Sequence, residues 1–122
     1  MHDSRIKLII VDDHDMVRYG LTVLLEDYED LDIVAQFNSG QAALDYCKRQ
    51  CPDVILMDII MPEMDGIRAT TLIREICPES QVVALTSFHD AEKIEQALQA
   101  GALGYLMKNV SGDKLAEAIR RA

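Results

Sequence analysis

At 122 residues, with a hydrophobic fraction of 49% and a charged fraction of 27%, the chain has the composition of one globular domain with a single core. Its net charge of -9 argues against direct nucleic-acid binding, which needs a basic stripe. No apolar run approaches the roughly 20 residues that span a bilayer, and Met1-His2-Asp3-Ser4-Arg5 lacks the layout of a signal peptide, so the expected setting is cytoplasmic with no membrane partner.

The first element is an apolar run, Ile6–Val11, read as a strand and ended by Asp12 and Asp13. Val17, Leu21, Leu24 and Leu25 then follow helical spacing. A second strand is expected over Ile33–Phe37. Ser39-Gly40 opens a helix carrying Ala43, Leu44 and Cys47. Val54–Asp58 is a third, wholly apolar strand up to its last residue. Ala69, Leu72, Ile73 and Ile76 mark a third helix, stopped by Pro78. Val82–Thr86 is the fourth strand. Ala91, Ile94, Ala97 and Leu98 mark a fourth helix, stopped by Gly101. Gly104–Met107 is the fifth strand, and Ser111 opens a last helix with Leu115, Ala118, Ile119 and Ala122.

Continuous apolar runs suit parallel strands covered on both faces. Regular strand–helix alternation predicts an α/β fold, a doubly wound parallel sheet with helices on both sides. In such folds ligands gather at the carboxyl ends of the strands. Asp12, Asp13, Asp58, Thr86 and Lys108 all fall at predicted carboxyl ends, on four different strands.

The three cysteines, Cys47, Cys51 and Cys77, make no even framework. A reduced setting is the simplest expectation, with small buried residues as their role. Cys47 and Cys51 are four apart and could share a helix face.

A carboxylate ending a buried strand is costly unless something uses or pairs with it. Asp58, ordinarily ionised at neutral pH, could attack phosphorus as a nucleophile. Carboxylate and phosphoryl donor are both anionic, and Mg²⁺ resolves that conflict because it prefers oxygen ligands. Asp12 and Asp13 would supply further negative charge for the ion. Lys108 could neutralise a phosphoryl oxygen, and Thr86 could donate to another. Each residue also has an ordinary use. Asp13 could cap the first helix, Asp58 could begin a turn before Pro62, Thr86 could be a simple β-former, and His14 could be a first-turn residue. The joint arrangement is what separates the two accounts. A cobalamin-binding loop, D-x-H-x-x-G, starts correctly at Asp12 but meets Val17 where Gly is needed. An aspartate-nucleophile phosphatase would want a second Asp where Ile60 stands.

In order and spacing, VDDHDMVRYGL, ILMDIIMPEMDGI, VVALTS and GALGYLMKN resemble the receiver domain of bacterial response regulators, CheY-like in fold, and most of all the NarL/FixJ subgroup. The resemblance covers essentially the whole chain, residues 1–122. It implies a flavodoxin-like sheet of five strands in the order 2-1-3-4-5 with five helices. It implies a signalling domain rather than an enzyme, with Asp58 accepting a phosphoryl group from a sensor histidine kinase. Asp13, Asp58 and the main-chain carbonyl of Ile60 would bind Mg²⁺, with Asp12 binding or positioning it. Thr86 and Lys108 would contact the phosphoryl oxygens. Tyr105 holds the switch-aromatic position, and the fourth helix, fifth strand and fifth helix would read out the change. Subgroup members carry a C-terminal DNA-binding domain, so an output domain beyond this chain is expected, with a stand-alone receiver as the alternative and a homodimer as a further partner. Asn109 stands where the family often has a cis-Pro, which puts that cis bond in question. Ile60 and Phe88, two beyond the acceptor and two beyond the switch Thr, are apolar and are expected to slow phosphate loss by hindering water.

Overall fold

The structure, a computed structural model, describes residues 5–61, 64–87 and 90–122. Five parallel strands, β1 (Ile6–Val11), β2 (Leu31–Phe37), β3 (Val54–Asp58), β4 (Gln81–Thr86) and β5 (Gly104–Met107), form one sheet in the order β2-β1-β3-β4-β5. Helices α1 (Asp15–Leu25), α2 (Gly40–Cys47), α3 (Gly66–Ile76), α4 (Ala91–Gln99) and α5 (Gly112–Arg121) connect them. The predicted fold class and strand order are those observed. β2 begins at Leu31, two residues before the expected start, because this edge strand buries Leu31 but leaves most of its later residues half-exposed.

Side chains alternate across a strand, so each central strand feeds two cores. Ile9, Val11, Ile55, Met57, Val82 and Ala84 face α2, α3 and α4 through Ala43, Ala69, Ile73 and Ala97. Leu8, Ile10, Leu56, Val83 and Leu85 face α1 and α5 through Leu21, Leu25, Leu115 and Ile119. β3 is buried along its whole length, Asp58 included. That two-sided burial explains why β1, β3 and β4 read as unbroken apolar runs.

Side chains of Ser39, Asp65, Asp90 and Ser111 cap α2, α3, α4 and α5 by accepting from the N–H of Ala42, Arg68, Lys93 and Lys114. α1 differs. Its N-cap is His14, whose side chain makes no capping bond, so Asp13 is not spent on capping. α5 is tied to the α1–β2 turn by Arg120, which donates to both carboxylate oxygens of Asp30 at 2.6 and 2.8 Å and lies 5.2 Å from the Tyr28 ring centroid.

Both expectations for the cysteines change, and the open question at Asn109 is answered. Cys51 and Cys77 are joined in a disulfide, leaving Cys47 as the free thiol. Cys51 is exposed and lies beyond the end of α2, so it shares no helix face with Cys47. The Lys108–Asn109 peptide is trans, since the described residues contain no cis peptide bond. Among the described residues no helix is long and apolar enough to cross a membrane.

Candidate functional site

Parallel register places the ends of β1, β3 and β4 side by side: Val11 pairs with Met57 and Asp58 with Leu85. The residues that follow or end these strands therefore meet at one edge of the sheet. Asp12 is fully buried, Asp58 is 2% exposed and Thr86 1%. Lys108 reaches in from just beyond β5. Its main-chain N–H donates to the Thr86 carbonyl at 2.8 Å, which anchors the loop, and its Nζ lies 2.7 Å from Asp12 Oδ2 and 3.2 Å from Asp58 Oδ2.

The backbone holds the other carboxylate oxygens. The His14 N–H donates to Asp12 Oδ1 at 2.8 Å, and the Ile60 N–H donates to Asp58 Oδ1 at 3.0 Å. Arg18 Nη1 donates to the Asp12 carbonyl at 2.6 Å. Each carboxylate is thus fixed by one oxygen while its second oxygen points into the site. Gly66, at the start of α3, allows this packing: a Cβ there would lie 2.0 Å from the Asp58 carbonyl oxygen.

Charge is not balanced by protein alone. Asp12 Oδ2, Asp13 Oδ1 and Asp58 Oδ2 are buried, and their neighbours are ion-pair partners rather than backbone donors. The Lys108 ammonium forms an ion pair with both Asp12 Oδ2 and Asp58 Oδ2. Asp13 Oδ1 has the His14 ring, with Nδ1 at 3.2 Å, which carries charge only when protonated. One ammonium among three carboxylates leaves a net negative site, and clustered anionic oxygens are what a hard divalent cation binds. Carboxylate oxygens of Asp12, Asp13 and Asp58 and a ring nitrogen of His14 lie within 4.8 Å of one another, close enough for one ion. The donor set therefore fits Mg²⁺.

Burial pushes the Asp58 carboxyl up to about 6. The Asp12 charge adds to the rise, while the Ile60 N–H and Lys108 pull against it. Asp58 is therefore a weaker acid than an ordinary Asp, although roughly nine-tenths ionised at pH 7. For Lys108, burial pulls the pKa down, but bonding to Asp12 and the charges of Asp58 and Asp12 outweigh it, so the net shift is upward and the ammonium is secure.

A cleft of about 150 Å³, lined by His14, Asp58, Ile60, Ser87 and Lys108, opens above these groups and has room for about five waters. Larger clefts of about 400 Å³ along α1 and about 700 Å³ beside β5 and α5 lack this convergence of charge. The structure thus brings Asp12, Asp13, Asp58 and Lys108 together, with Thr86 at the adjacent strand end. Ile60 is 44% exposed at the cleft, and Tyr105 on β5 is 40% exposed. Phe88 lies outside the described residues. Two site residues escaped the sequence reading. His14 was expected as a first-turn residue but lies in the carboxylate cluster. Ser87 lines the cleft, and its position directly after Thr86 was the only signal for it.

A doubly wound five-stranded sheet in this strand order with an acidic carboxyl edge is the CheY-like architecture. The chain belongs to the response regulator receiver domain family, whose model matches residues 8–120. It is 45% identical over 114 residues to the transcriptional regulatory protein LnrK of Bacillus subtilis (strain 168), covering 93% of this chain and 52% of that protein. It is 40% identical over 116 residues to the response regulator protein VraR of Staphylococcus epidermidis (strain ATCC 12228 / FDA PCI 1200), covering 95% of this chain and 56% of that one. The signal receiver domain of NarL from Mycobacterium tuberculosis superposes with a TM-score of 0.91 at 29% identity, covering 97% of this chain and 95% of that domain. The chain spans about half the length of the curated relatives it matches.

Proposed function

We propose that this domain is the phosphoacceptor module of a two-component response regulator, with Asp58 as the acceptor and a sensor histidine kinase as the donor. The observation that carries the reading is the pair of buried carboxylates, Asp12 and Asp58, that each turn one oxygen into the site and share the single Lys108 ammonium there.

Asp13, Asp58 and the Ile60 carbonyl would hold Mg²⁺, with Asp12 binding or positioning it; when bound, the ion screens the anionic donor from the anionic nucleophile. The chain's own residues do the rest by position and charge. A carboxylate oxygen of Asp58 forms a bond to phosphorus as the phosphorus–nitrogen bond of the donor phosphohistidine breaks. The imidazole nitrogen takes the departing electron pair and then a proton. Lys108 and the Thr86 hydroxyl meet the phosphoryl oxygens of the acyl phosphate. Before transfer, Lys108 is held by Asp12 and Asp58; afterwards it has a more highly charged partner. Movement of Thr86 towards that partner would let the exposed Tyr105 turn inward, biasing the α4–β5–α5 face. The output is control of a DNA-binding domain elsewhere in a longer protein, supported by relatives about twice this length, one of them named as a transcriptional regulatory protein.

The test is phosphoryl transfer from acetyl phosphate, or from a phosphorylated kinase, in Mg²⁺. Wild-type protein should take up one acid-stable, base-labile phosphoryl group, and Asp58→Asn should take up none while remaining folded. Persistent labelling of Asp58→Asn would show that another residue is the acceptor.

A further inference from the structure

Cys51 and Cys77 sit at the pole of the sheet opposite Asp58. Cys51 lies three residues before β3 and Cys77 four before β4, and β3 and β4 are hydrogen-bonded neighbours that start at the same edge. Parallel pairing therefore brings residues separated by 26 positions to a Cα–Cα distance of 5.7 Å, within the usual range for a disulfide. The two sulfurs differ in access. Cys51 is exposed, whereas Cys77 is 1% exposed and forms the C-cap of α3. The negative end of the helix dipole disfavours a thiolate there.

We propose that Cys51 and Cys77 form a reversible thiol–disulfide exchange site that takes small aliphatic disulfides, such as oxidised glutathione, through Cys51. The reduced state has an acceptor in place. The Cys47 carbonyl oxygen lies 3.8 Å from Cys51 Sγ and 3.4 Å from Cys77 Sγ, so it can accept from either thiol when the bridge is open. Cys47 does not compete. Its side chain is buried in the core, and burial pushes its thiol up to about 11.

Oxidation runs in two exchanges. The Cys51 thiolate attacks one sulfur of the small disulfide, forming a mixed disulfide and releasing one thiolate. The Cys77 thiol then loses its proton to solvent, and its thiolate attacks the Cys51 sulfur, closing the bridge and releasing the second thiolate. The two protein thiols lose two electrons in all, and the small disulfide gains them. In reverse, an incoming thiolate can reach only Cys51, and Cys77 must leave as a buried thiolate, so opening is slower than closing. The bridge restrains the unfolded chain across 26 positions, which should raise the melting temperature by about 10 °C relative to the dithiol.

The test begins with protein reduced by a phosphine and freed of reductant. Oxidised glutathione is added, samples are quenched with an alkylating reagent over time, and peptides are mapped by mass. A glutathione adduct should appear first at Cys51 and give way to the Cys51–Cys77 bridge. Dithiothreitol should return both thiols without denaturant. Cys77→Ser should hold the adduct on Cys51, and Cys51→Ser should give neither adduct nor bridge. An adduct arising first at Cys77 or Cys47, a wild-type adduct that never resolves, or a bridge that opens only on unfolding would overturn the proposal. If Cys77→Ser does not fold, the wild-type time course decides alone.

Discussion

Asp58→Asn should stabilise the metal-free protein at neutral pH. The carboxyl is pushed up to about 6 in the fold against an unfolded value near 3.8, a difference of roughly two units. At about 1.36 kcal/mol per unit, ionisation of Asp58 costs the native state about 3 kcal/mol. The sign follows from the raised pKa: the folded state favours the protonated form. Stability from this group is full below about 3.8 and is lost as pH rises through about 6. Asparagine keeps the shape, can still accept from the Ile60 N–H and, like the protonated acid, is neutral; the opposing pull of Lys108 is already contained in the value of about 6. A net gain of about 3 kcal/mol at pH 7, or about 12 °C in melting temperature, is therefore expected. The assay is thermal or urea unfolding in a chelator from pH 4 to 8, with both proteins compared at each pH. The gain should shrink towards zero near pH 4. Saturating Mg²⁺ should raise the stability of the wild type more than that of the variant, because binding favours the folded state in proportion to affinity. A variant less stable than wild type in chelator at pH 7, or a gain independent of pH, would refute the idea that burial strains this carboxylate.

Three further outcomes test other parts of the site. Lys108→Met should cost about 3 kcal/mol by stripping the buried Asp12 and Asp58 of their shared cation, an effect read by urea unfolding in chelator and reduced by adding Mg²⁺. Gly66→Ala should lower stability by about 3 kcal/mol and weaken Mg²⁺ binding, because its Cβ would lie 2.0 Å from the Asp58 carbonyl oxygen; unchanged unfolding and calorimetric titration would show that α3 can shift freely. Phe88→Ala should speed loss of phosphate from labelled protein in Mg²⁺, and equal rates would remove steric hindrance of water as the cause of a long-lived phosphorylated state.

Much of the fold was legible because β1, β3 and β4 are buried on both faces, so their apolar runs and the polar residues ending them stand out. The edge strand β2 was harder. Asp32 sits at its start, half-exposed, and interrupts the pattern that Leu31 begins. The acidic residues and Lys108 were all placed at strand ends from sequence, but the contacts between them were not. That Lys108 touches both Asp12 and Asp58 depends on how far the β5–α5 loop reaches over the sheet. His14 looked like an ordinary first-turn residue because only the turn geometry around Asp12 brings its ring to the carboxylates. The disulfide was hidden for a related reason. Cys51 and Cys77 are neighbours only because β3 and β4 are adjacent and parallel, which residue spacing alone does not reveal. The raised Asp58 pKa depends on burial depth, which the unperturbed value of an aspartate does not contain.

The central claim is that Asp58 accepts a phosphoryl group with the help of a divalent ion. The most direct measurement is to phosphorylate the protein with acetyl phosphate in Mg²⁺, trap the acyl phosphate by borohydride reduction, and locate the reduced residue by peptide sequencing. The account predicts homoserine at position 58 and none when a chelator replaces Mg²⁺. Reduction at Asp12 or Asp13, or labelling that persists in the chelator, would contradict it.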